Sequence, residues 1–118
     1  MASPAPGGTQ AYQQAQLTLA VSLKISALGN ANTCLSGLPG NPAPAQQQVQ
    51  LNSNEIQDLQ HALLRIKNNT FNWPGDPVVN ATIAKSQNLL TSSHACVNPP
   101  GIIHDSAVLI GTMPGAAI

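Results

Sequence analysis

Charge is what this chain lacks most. Four acidic and four basic residues make up 7% of its 118 positions, where roughly 25% is ordinary for a soluble domain. Nucleic-acid binding needs clustered cations to neutralise phosphates. Lys24, Arg65, Lys67 and Lys85 are the whole supply, which excludes that class. Aromatics are scarce too: Tyr12, Phe71 and Trp73 make up 3% of the chain. A long hydrophobic run is missing. The most apolar stretch, Leu17 to Leu28, falls short of the roughly 20 residues a bilayer demands, and it holds Lys24 near its middle. No membrane span is expected. The opening "MASPAPGG" has neither the basic nor the apolar region of a signal peptide, though a leader replaced by a start Met would leave the same trace.

Polarity comes instead from eleven Gln and eleven Asn, with many Ser and Thr, and the formal net charge is zero. Weak colloidal repulsion and zero net charge favour association. This composition fits a subunit packed against other subunits, or a secreted protein with a neutral, amide-rich surface.

Pro-Gly occurs five times, at residues 6–7, 39–40, 74–75, 100–101 and 114–115, and punctuates the chain. Two near-identical pentapeptides, "LPGNP" at 38–42 and "WPGDP" at 73–77, place Asn or Asp before Pro. That order predicts an N-cap followed by a first-turn proline. After Pro42, the residues Ala45, Val49, Asn52, Ile56, Leu59, Leu63 and Ile66 follow a heptad seam. Asn52 with Glu55 has the spacing of a cap that restarts the helix. Glu55 and Asp58 near its start, with Arg65 and Lys67 near its end, complement the helix dipole. The next segment continues with Val79, Ile83, Ser86, Leu90, Ser93 and Val97, until Pro99 and Pro100 forbid continuation.

"QLTLAVSLKIS" at 16–26 alternates apolar and polar like a strand, yet its flanks read as helix. Wound as a helix, it is apolar nearly all round, which demands burial all round. Two neighbouring helices with one seam each do not provide that. The extra wall must come from another chain or from the apolar C-terminal segment, which either folds back or docks on a neighbour by strand addition.

Candidate chemistry is thin. Cys34 and Cys96 lie at the same pole of an up-down-up bundle, so a disulfide between them is plausible and would indicate an oxidising compartment. Two inert buried thiols are the alternative. His94, His104, Cys34 and Cys96 lack zinc-ligand spacing, and Cys96 with a histidine lacks any oxyanion site. Glu55 and Asp58 share a face without suggesting acid–base work. His61 reads as a solvated surface residue. Asn68-Asn69-Thr70 and Asn80-Ala81-Thr82 match the glycosylation sequon at a frequency chance explains. Trp73 with Phe71 is a plug over one end of the core or a binding hot spot.

The expected architecture is a single all-α domain over 1–118. It comprises an arm at 1–8, a three-helix core within 9–96 (helices near 9–29, 42–69 and 77–94) and an extended arm at 97–118. The alternative is α+β, with strands near 16–26 and 107–113. The expected function is a non-enzymatic structural subunit of a large assembly, such as a viral capsid or decoration protein, in a virion or extracellular setting. Its partners would be other protein subunits, in a homo- or hetero-oligomer. No cofactor or metal is expected. Leu19, Leu23, Trp73, Ile102, Ile103, Val108, Leu109 and Ile110 are the candidate interface. The competing function is a small secreted or periplasmic helical binding module stapled by Cys34–Cys96.

Overall fold

The computed structural model describes residues 9–118, so the expected arm at 1–8 lies outside it. Among the described residues the chain is all-helical. Helix α1 spans Gln10–Ser36, α2 Ala43–Lys67, α3 Asp76–His94 and α4 Pro99–Thr112, and a 3-10 turn covers Gly115–Ala117. Two expectations are corrected here. The bundle has four helices where three were expected, and both segments proposed as strands, 16–26 and 107–113, are essentially helical, with only Met113 beyond α4. The apolar C-terminal segment is therefore no extended arm. It forms α4, which packs on α3, α2 and α1.

Helix α1 starts where Thr9 accepts a hydrogen bond from the Tyr12 amide at 3.1 Å, a side-chain N-cap. It does not stop at Leu28-Gly29-Asn30. Gly29 costs about 1 kcal/mol in a helix interior, and tertiary packing on both sides overrides that signal. The helix runs a further turn and a half to Ser36. Its buried residues occupy three positions per heptad: Leu17, Lys24 and Ala31; Ala20, Ala27 and Cys34; Val21, Leu28 and Leu35. A two-helix seam uses two positions. The third is what contact with α2, α3 and α4 together requires. The strand-like alternation is incidental, because Leu17 and Val21 are fully buried while Leu19 is 47% exposed.

The seam of α2 is Ala45, Gln48, Asn52, Glu55, Leu59, Ala62 and Ile66. Half of the expected seam is thus shifted by one residue, and Val49, Ile56 and Leu63 flank it, half-buried. Hydrophobicity points to the wrong set because Gln48 and Glu55 are polar. They turn inward because partners await them. Gln48 donates to Asn52 at 2.9 Å, Asn52 donates to Asn32 at 3.0 Å, and Asn32 donates to Ser53 at 3.2 Å. This chain of amides ties α2 to α1. No break or restart occurs at Asn52, which is fully buried inside the continuous helix.

Helix α3 buries Val79, Thr82, Ser86, Leu89 and Ser93, and α4 buries Ile102, Ser106 and Leu109. These small hydroxyl residues let helices approach closely. Thr82 bridges α3 to Thr112 at 3.2 Å, while the buried hydroxyls of Ser86 and Ser106 have no protein partner. Helices α2 and α3 each have a first-turn proline, Pro44 and Pro77, but Asn41 and Asp76 are not the N-caps the pentapeptides predict, since Pro42 and Gly75 hold those positions. Neither polar side chain caps its own helix; Asp76 accepts instead from the Tyr12 hydroxyl at 3.4 Å.

Candidate functional site at the disulfide pole

Two proline-rich turns meet at one end of the bundle. The first follows α1. Gly37 closes that helix, its amide reaching the carbonyls of Cys34 and Leu35. Gly40 and Asn41 then take left-handed conformations, with φ of 79° and 46°, before Pro42 leads into α2. The second turn follows α3. Cys96 and Asn98 are both left-handed, with φ of 52° and 57°, a conformation non-glycine residues adopt at a cost. The Asn98 side chain accepts from the Gly101 amide at 3.4 Å and caps α4, whose first turn is Pro99-Pro100.

A disulfide joins Cys34, in the last turn of α1, to Cys96 in the second turn, with Cα atoms 5.4 Å apart and a sequence separation of 62. It holds the two turns side by side. Between them lies an open apolar basin of about 440 Å³. Leu38, Pro39, Pro42, Pro44 and Ala45 form one wall, and Pro99, Pro100 and Ile103 the other. None of these eight side chains carries a polar group. Cavities of roughly 300–1,000 Å³ with mostly apolar walls are the usual ligand sites of proteins. The sequence pattern offered Cys34 and Cys96 as a possible disulfide pair and Ile103 as an interface candidate, but it gave no sign of the basin. Its prolines read as punctuation, and nothing in their spacing shows that residues 38–45 and 99–103 converge.

A second unusual constellation lies in the core. Lys24 is fully buried. Its ammonium lies 2.8 Å from Glu55 and donates to the Met113 carbonyl at 2.6 Å and the Ile110 carbonyl at 3.3 Å. Glu55 also accepts from the Gly115 amide at 3.3 Å, and Arg65 donates to the Gly115 carbonyl. Burial pushes the Lys24 ammonium below its usual range, opposed by the hydrogen bond and charge of Glu55. All of its donors point at fixed acceptors, so it locks the C-terminal segment to α1 and α2. Sequence reasoning assigned Glu55 to the helix dipole and Lys24 to nothing. The one signal available was a lysine inside the most apolar stretch.

The remaining candidates scatter. Ile102 and Leu109 point inward, 1% and 0% exposed, and are not available to a partner, which corrects their assignment to an interface. Leu23, Trp73 and Ile110 are half-buried, and Leu19 and Val108 face outward on different helices. Trp73 packs edge-on against Tyr12, with ring centroids 6.0 Å apart, at the pole opposite the disulfide. Among the described residues no three His, Cys, Asp or Glu side chains gather to hold a metal, and no helix is long and apolar enough to cross a membrane. Comparison with protein-family models, curated proteins and solved structures returned no match.

Proposed function

We propose that the chain is a small secreted or periplasmic helical binding module, stapled by Cys34–Cys96, that takes an apolar ligand at the disulfide pole. The observation carrying this reading is the basin itself: about 440 Å³ between two turns that the disulfide holds together. A second feature supports it. The apolar segment at 99–113 is spent internally, with Ile102, Leu109 and Met113 in the core, so the main reason to require a partner subunit is met within the chain. Disulfides persist in oxidising compartments, which sets the expected location. No constellation among the described residues supports catalysis, and the reading is non-enzymatic.

The structural-subunit reading is the alternative, favoured by the near-absence of surface charge and by Leu19, Leu51, Leu64 and Val97, each about half or more exposed. Light scattering at micromolar concentration separates the two. The binding module predicts a monomer whose melting temperature falls on adding reductant. A mass many times 12.2 kDa, unchanged on dilution, sinks it in favour of a capsid-like or filamentous assembly.

A further inference from the structure

The chemistry of the pole narrows what the basin accepts, and this inference rests on the binding-module reading. The segments that build this end of the bundle, residues 34–50 and 90–105, contain no lysine or arginine. The four cations lie elsewhere. Lys24 is locked in the core, Arg65 is tied to Gly115, and Lys67 ends α2 at the opposite pole. Lys85 lies in the middle of α3 and borders a different groove, with His104 and Asp105. Asp105 is the one carboxylate of these segments, and it faces His104 at 3.4 Å. The basin does face the starts of α2 and α4, but Pro42, Pro44, Pro99 and Pro100 carry no N–H and the Gly101 amide is taken by Asn98. A carboxylate or phosphate head group therefore finds no cationic side chain and few free amides at the basin, and an ammonium finds no carboxylate in its walls. A polar group pressed against these walls would lose its water without gaining a side-chain hydrogen bond.

Five of the eight wall residues are proline. Their rings have no rotamer freedom to lose, so binding does not have to order them. Rigid apolar walls suit a rigid apolar guest.

We infer that the basin between the turns at 38–45 and 99–103 binds an uncharged, ring-containing hydrocarbon-like small molecule and rejects amphiphiles of the same size with a charged head. Fatty acids are thus excluded and neutral aromatics are favoured.

The test is fluorescence titration of the oxidised full chain with N-phenyl-1-naphthylamine, a neutral aromatic probe, followed by competition with decanoate and with 1-naphthol. Saturation at one probe per chain, displaced by 1-naphthol and indifferent to decanoate, is the expected result. Ile103→Glu, which puts a carboxylate into the wall from a half-buried position, should weaken the probe at least tenfold at an unchanged circular dichroism spectrum. Ile103→Trp, which fills the basin without charge, should do the same if the glutamate variant fails to fold. Decanoate displacing the probe with equal or greater affinity than 1-naphthol overturns the ligand class and leaves the binding site standing. Probe binding that survives in a folded Ile103 variant overturns the location. No binding of any of the three compounds overturns the binding-module reading as well.

Discussion

A lysine with no access to water is costly unless every proton of its ammonium is matched. Lys24 meets that demand with one carboxylate and two carbonyls. Removing one member of such a pair strands the other in the core, at about 3–5 kcal/mol. Lys24→Met and Glu55→Met should each lose stability of that order in urea denaturation. The double variant should lose less than the sum, because no charge is left behind, and additive losses would refute the coupling. The pH dependence follows from the same group. Its folded pKa lies below the ordinary 10.5, so in the window between them the unfolded chain holds more protons than the folded one. Stability carried by this group therefore rises as pH climbs from the folded value towards 10.5. Melting temperatures taken from neutral pH upward should rise in the wild type relative to Lys24→Met, and parallel profiles would contradict this.

Helices α2 and α3 were legible because their apolar and small residues recur at heptad spacing, and Ala45, Asn52, Leu59 and Ile66 do lie inward. Helix α1 was legible only through its helix-like flanks and runs seven residues beyond the expected end at 29. The alternate seam positions were not, because Gln48 and Glu55 are buried through partners far away in sequence. Helix α4 was missed for a different reason. Pro-Pro-Gly at its start and the β-branched Ile102, Ile103, Val108 and Ile110 all argue locally against a helix. Burial decides against them, since Ile102 and Leu109 each contribute about 1.5–3 kcal/mol when taken out of water. After α4 the chain turns so tightly that a Cβ on Gly115 would lie 2.6–2.8 Å from the backbone of Asp58 and Leu59, closer than any real contact. Gly115→Ala should therefore cost about 1–3 kcal/mol by overpacking. Hydrogen exchange should localise the loosening to residues 113–118 and to α2. Uniform exchange across all four helices would show that this turn is not a separate clasp.

At the scale of the molecule, two ties of different chemistry hold the two halves of the bundle. The disulfide closes a loop of 62 residues, and in the chain-entropy account such a loop stabilises by about 4 kcal/mol. Cys34→Ser with Cys96→Ser should lower stability by that order and should also weaken probe binding at the basin, because the disulfide anchors the second turn, whose Cys96 and Asn98 take left-handed conformations that cost energy to hold. Stability lost with binding intact would separate the staple from the site. The basin itself was not legible in the sequence. It exists only where two turns, nearly 60 residues apart in the chain, are brought together by the packing of four helices.

The acceptors of Lys24 at Ile110 and Met113 lie 86 and 89 residues beyond it. During synthesis, that ammonium waits until nearly all of the described chain has been made. Until then, α1 can pair with α2 through Glu55 but must leave its third face open to water. Closure of the bundle thus waits for the final helix, after α1, α2 and α3 are all available to pack. A nascent chain halted before Ile110 should remain protease-sensitive, and resistance should appear within the few residues that carry Met113 and Gly115 clear of the ribosome.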